Sequence, residues 1–180
     1  MLVEAKVLFY TFLNICLFRR KPQDIPASTG LLFFTLSAYA LTAIFLLLVT
    51  ESPARAMISA ILEVTILSGF VYILLMLTNK KSRYLQTLTS LYGIGAVLSL
   101  IALPVYILMS TYSDNQLSQD PLHSLSMLAL ACLAIWNLVI MSYVLRHALE
   151  TGIFTSFMLA ISYMWLMLSI SSTLFANGNT

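Results

Sequence analysis

The sequence predicts an all-α integral membrane protein: five transmembrane helices preceded by a short interfacial, amphipathic N-terminal helix. Three observations carry this reading. Of the 180 residues, 60% are hydrophobic and only 9% are charged, whereas a soluble domain carries roughly 25% charged residues. So few charges could not wet a globular surface, and lipid must be the main solvent. Five apolar runs of bilayer length are separated by short polar breaks. The cations, finally, fall on alternate breaks.

The N-terminal apolar core, residues 7–18, is 12 residues long, roughly 18 Å of helix, and short of the ~20 residues a span needs. Arg19, Arg20 and Lys21 follow it rather than precede it, which is the wrong order for a cleaved signal peptide. The expected state is a helix lying in the cytoplasmic interface or docked on the bundle, with these cations at headgroup level. The rival is a tilted first span with the N-terminus outside. Pro22 and Pro26 hold the residues before them extended, so residues 22–28 form a stiff elbow. Ser28 or Thr29 is then placed to cap the next helix. Residues 1–29 therefore make a cytoplasmic segment, 30–175 the bundle and 176–180 a short outside tail.

The spans are expected at about 30–50, 56–78, 85–110, 123–145 and 153–175. The breaks hold Glu51, Pro53 and Arg55, then the basic hinge at 79–84, then an acidic loop with Asp114 and Asp120, then a tight turn at 146–152. Breaks this short make neighbouring spans antiparallel. With five spans, Lys6, Arg19, Arg20, Lys21, Lys80, Lys81, Arg83 and Arg146 share one side, and Arg55 alone falls on the other. The positive-inside rule then puts the N-terminus in the cytoplasm and the C-terminus outside.

Glu63 is the most informative single residue. It lies seven residues into the second span, so about 10 Å below the surface, and an ionisable group at that depth is expensive. It is either hydrogen-bonded within the bundle or set to meet a ligand or partner. Thr42, Tyr106, Trp165 and Ser169 are expected near its level, and Asn137 about 10 Å deeper. No second acid or lysine lies within a span, which disfavours a proton-coupled pump. In the third span, Gly93, Gly95 and Ser99 are small residues that admit a close helix approach, and Pro104 is placed to kink the helix. Most tyrosines fall near span ends as an interfacial belt, with Tyr39 and Tyr163 deeper.

Catalytic and cofactor chemistry finds no support. His123 and His147 lie on opposite sides of the membrane, and Cys16 and Cys132 are expected as buried free thiols. The serines of the fifth span have no base beside them. His147 and Glu150 make at most a helix-end pair. The basic residues Arg19, Arg20, Lys21, Lys80, Lys81 and Arg83 are expected to set topology and meet anionic headgroups. Their charge is too small, and too close to the membrane plane, for nucleic acid.

An N-terminal cytoplasmic segment, five spans, short loops and an outside C-terminus resemble the Yip membrane-protein family. Residues 19–28, RRKPQDIPAS, and 84–93, YLQTLTSLYG, followed by LIALP at 100–104, look like recurrent strings of small proteobacterial inner-membrane proteins. The acidic, glycine-rich motif of the eukaryotic trafficking members is absent, so their GTPase binding does not carry over. The resemblance implies a fold and a bacterial inner membrane, not an activity. The leading expectation is a non-catalytic assembly component that meets itself or a membrane-protein partner. The alternative is a small transporter or lipid-handling protein with a cavity near Glu63. A dry, sealed bundle would favour the first, and a polar, reachable cavity the second.

Overall fold

The computed structural model describes residues 10–113 and 121–176. Glu4 and Lys6, the acidic loop around Asp114 and Asp120, and the tail from 177 lie outside them. Each expected span is a helix: α1 Thr29–Leu47, α2 Pro53–Leu77, α3 Tyr84–Ser113, α4 Pro121–Leu149 and α5 Ile153–Ala176. All five are long and apolar enough to cross a membrane. The described residues contain no strand.

Local chemistry sets the ends. The Ser28 hydroxyl accepts from the Leu31 N–H at 3.5 Å and caps α1. Pro53 and Pro121 open α2 and α4, where a missing N–H costs nothing. α1 stops at Leu47, three residues early, because the chain turns there toward Pro53, with Glu51 N–H bonded to Leu47 O at 2.8 Å. α4 runs four residues past the expected end, because Ala148 and Leu149 are buried rather than in a turn. Arg146 and His147 are thus in its last turn, where positive charge complements the helix dipole. α2 ends at a left-handed Asn79 (φ 57), and Lys80 N–H returns to Leu75 O at 2.8 Å.

Along the spans, serine and threonine hydroxyls bond back to carbonyls three or four residues earlier, as Thr35 does to Leu31 and Ser90 to Gln86. No water is needed to satisfy them in lipid.

α3 is the axis of the bundle. Of its most apolar window 39% is buried, against 17–28% in the other helices. α1 and α4 flank it, α5 packs on α4, and α2 touches α1, α3 and α5. Packing is uneven along the membrane normal. Residues 87–94 of α3 and 140–142, 144–145 and 148–149 of α4 are buried, whereas from Leu100 onward no described α3 residue is, and in α4 only Ser126 is buried between 121 and 139. The bundle is therefore tight at the end carrying the basic loops and splayed at the opposite end.

Residues 10–16 form a helix that docks on this tight half. Phe12, Ile15 and Cys16 are buried, and the Phe18 ring packs 5.0 Å from Tyr143 and 5.7 Å from Trp136 of α4. A left-handed Phe18 (φ 58) ends the helix, with Arg19 N–H on Asn14 O at 2.8 Å. The elbow is then pinned at both sides: Gln23 Nε2 donates to His147 O at 2.9 Å, and Gln86 Nε2 donates to Ile25 O at 3.1 Å.

Candidate functional site

The splay leaves a cavity of about 290 Å³ between the helices. The central helix supplies one wall at helical spacing: Leu91, Ile94, Gly95, Leu98, Ser99, Ala102 and Tyr106. These positions recur every three or four residues and so form one stripe. α1 adds Tyr39, Ala43, Leu46 and Leu47. α4 faces them with Leu130, Leu133, Ala134, Asn137 and Met141. α2 contributes Glu63 and Leu67, and α5 contributes Tyr163. All five spans thus take part, and most of the lining is apolar.

Glu63, Tyr39 and Tyr163 reach the cavity from three different helices. Glu63 is half-buried, and its carboxyl stands beside the Tyr39 hydroxyl. Tyr39 and Tyr163 are themselves buried, and Tyr163 leans on Phe70 with ring centroids 5.3 Å apart. Gly95 makes room for this arrangement. A Cβ there would sit 2.5 Å from Tyr39 Cε2, so the missing side chain admits the ring against α3. Beneath, Tyr92 is fully buried, with its ring 5.4 Å from Tyr39. Its hydroxyl bonds Ser68 Oγ at 2.6 Å and donates to Val64 O at 3.0 Å, fastening α3 to α2.

Of the polar residues picked by depth, the structure brings Glu63, Tyr106 and Asn137 to one cavity, from three helices. It leaves three aside. Thr42 is half-buried, with its hydroxyl on Ala38 O and Tyr39 O at 3.0 Å each. Trp165 is 73% exposed on the outer face of α5. Ser169 bonds back to Trp165 O at 2.9 Å. Depth alone does not tell which way a helix is rotated. Tyr39 and Tyr163, which depth alone sets apart from the belt, also line the cavity. Ser99, expected only as a packing residue, lines the cavity. Gly93 admits Phe12 of the N-terminal helix, since a Cβ would run into that ring. Pro104 is exposed, and α3 continues through it, with Ala102 and Tyr106 facing the cavity on either side.

The basic residues divide into two groups. Arg19, Arg20, Lys21 and Lys81 are exposed. Lys80 and Arg83 turn inward instead. Lys80 Nζ donates to Glu150 Oε2 at 2.6 Å and to Leu149 O at 2.8 Å. Arg83 donates to Glu150 Oε1 at 2.5 Å and to His147 O at 3.2 Å. The two loops of the tight end are thereby tied across α4's terminal carbonyls. This corrects the expected His147–Glu150 pair: the His147 ring lies 4.3 Å from that of Tyr143, and the carboxylate belongs to Lys80 and Arg83. Cys132 is a second correction. It is exposed on α4, whereas Cys16 is buried, and burial pushes the Cys16 thiol up to about 11.

The clamp has a pH signature. Hydrogen bonds from Lys80, then Arg83, hold Glu150 below its ordinary value of 4.5. A group whose folded-state value is depressed stabilises the fold above its unfolded value, and that contribution is lost as pH falls through the folded value. Glu150→Gln should therefore lower the melting temperature at pH 7 and flatten the loss of stability below pH 4.5. Parallel acid limbs for the two proteins would refute the clamp.

No side chain on the cavity wall is a lysine, arginine, histidine or cysteine. Among the described residues no group of three His, Cys, Asp or Glu could hold a metal ion. What the arrangement can do is accept an apolar body and hydrogen-bond or charge-pair one polar head. Comparisons with protein families, with characterised proteins and with solved structures give no match.

Proposed function

We propose that this chain is a small-molecule-handling membrane protein, binding an amphiphile in the cavity around Glu63. The observation that carries the reading is a cavity of about 290 Å³ walled by all five spans, with the intramembrane acid on its wall. That volume sits at the lower end of the ~300–1,000 Å³ usual for ligand pockets, which suits a short-chain ligand. The wall has the composition of a ligand site: mostly apolar, with a few converging polar groups. The tight end closes the cavity on the side of the basic loops, so entry is from the splayed end. The bias of cations supports placing the tight end at the cytoplasmic face of a bacterial inner membrane, and the entrance outside.

The assembly reading rests on the packing glycines, the lack of a catalytic set and the basic edges. Of these, Gly93 and Gly95 are filled within the chain, by Phe12 and Tyr39, and so do not favour it over the cavity reading. The five-span layout shared with Yip-type proteins supports the membrane setting and is neutral on activity.

The test uses Met141, whose methyl group is a reporter on the cavity wall. With the methionine methyls carbon-13 labelled and the full chain in phosphatidylcholine nanodiscs, 1-octanol should shift the Met141 resonance saturably. The resonance of the exposed Met57 should move only with bulk partitioning. Ala102→Trp, which fills the cavity, should abolish the saturable shift. No saturable response in the wild type would sink the reading.

A further inference from the structure

We infer that the cavity selects a cationic, ammonium-type head, seated against Glu63 between Tyr39 and Tyr163. This deepens the cavity reading and rests on it. The first ground is charge. The ion pairs among the described residues are Arg55 with Glu51 at 3.7 Å, and Glu150 with Lys80 and Arg83. None involves Glu63, beside which stands the neutral Tyr39 hydroxyl. A carboxylate at an apolar wall is costly without a counter-charge, and the wall supplies none. A ligand cation in the cavity is the group placed to supply it.

The second ground is the rest of the lining. Tyr39, Tyr106, Tyr163 and Asn137 are neutral. With no basic residue on the wall, a phosphate or carboxylate head would face Glu63 with nothing to hold it. Tyrosine rings attract an ammonium group through their negative faces. The third ground is ligand number. A hard metal ion needs six or more oxygen ligands, and here one carboxylate stands among hydroxyls, with no cluster of three ligating side chains among the described residues. An organic ammonium needs no such shell and brings its own apolar tail for the leucine-rich walls.

A matched pair of probes isolates the charge. Hexyltrimethylammonium and its carbon isostere 2,2-dimethyloctane share shape and size and differ in the charge alone. Each is titrated onto the full chain in phosphatidylcholine nanodiscs, with free concentrations corrected for partitioning and the Met141 methyl as readout. The ammonium should saturate the shift at a concentration about tenfold lower than the isostere. Glu63→Gln should erase that advantage while the 1-octanol response persists, which shows that the variant keeps its cavity. An isostere binding as tightly as the cation overturns the inference and leaves the cavity reading standing, and so does an advantage that survives in Glu63→Gln. Loss of every response, 1-octanol included, overturns both. Where Glu63→Gln does not fold, the wild-type pair decides alone: a cation bound no more tightly than its isostere ends the proposal.

Discussion

Tyr92→Ala is expected to cost about 3–5 kcal/mol, the range for emptying a large aromatic from a packed interior. Tyr92 is fully buried, its ring supports Tyr39 at 5.4 Å, and its hydroxyl reaches Ser68 and Val64. Removing the side chain leaves a void where lipid cannot follow. The loss is one of packing, which is the main force between helices in a bilayer. Tyr92→Phe separates the two contributions. It keeps the ring and loses the two contacts of the hydroxyl, and it frees the Ser68 proton for Val64 O, 2.7 Å away. Its cost should be about 1 kcal/mol. Denaturant unfolding of both variants in mixed micelles checks the pair. A phenylalanine variant as unstable as the alanine one would show that the hydroxyl, not the ring, holds α2 to α3.

Gly93→Leu and Gly95→Leu should each cost about 1–3 kcal/mol by overpacking, with different local consequences. A side chain at Gly93 meets the Phe12 ring and should lever the N-terminal helix off α3. A side chain at Gly95 meets the Tyr39 ring and should disturb the cavity instead. Cys16 reports on the first, because it is buried in the docked helix with its thiol pushed up to about 11, and is thus poorly reactive when docked. In a Cys132→Ser background, Gly93→Leu should expose Cys16 to a maleimide, while Gly95→Leu leaves it protected but weakens the 1-octanol response of Met141. Equal protection of Cys16 in both variants would mean that the N-terminal helix does not depend on the gap at Gly93.

These expectations draw on two kinds of information. The five helices and most of their ends are legible in the sequence, because hydropathy and the caps at Ser28, Pro53 and Pro121 are local signals. So is the depth of Glu63, since residue count along a helix converts directly to distance along the normal. The same arithmetic put Tyr106 near the level of Glu63 but set Asn137 about 10 Å deeper, although both line the cavity, and it also put Trp165 and Ser169 at that level, which face elsewhere. The N-terminal helix shows the boundary clearly. Its length rules out a simple span, but nothing in residues 10–16 says that Phe12 fits Gly93, some nine residues into α3 and so about 14 Å from its start.

Depth along the membrane normal was determined by the sequence, because crossing from water to lipid changes the solvent and each residue's preference records that change. Rotation about each helix axis was decided only by the tertiary structure. In a soluble helix the polar face marks what is outside, whereas here lipid and core are both apolar, and a leucine is content in either. Which residues meet across the bundle then follows from packing: Phe12 into Gly93, Tyr39 against Gly95, Lys80 and Arg83 onto Glu150. Glu63 could be picked out as an acid at the wrong depth. That it stands on a cavity wall, beside two tyrosines from other helices, is a consequence of how the five helices turn to fit one another.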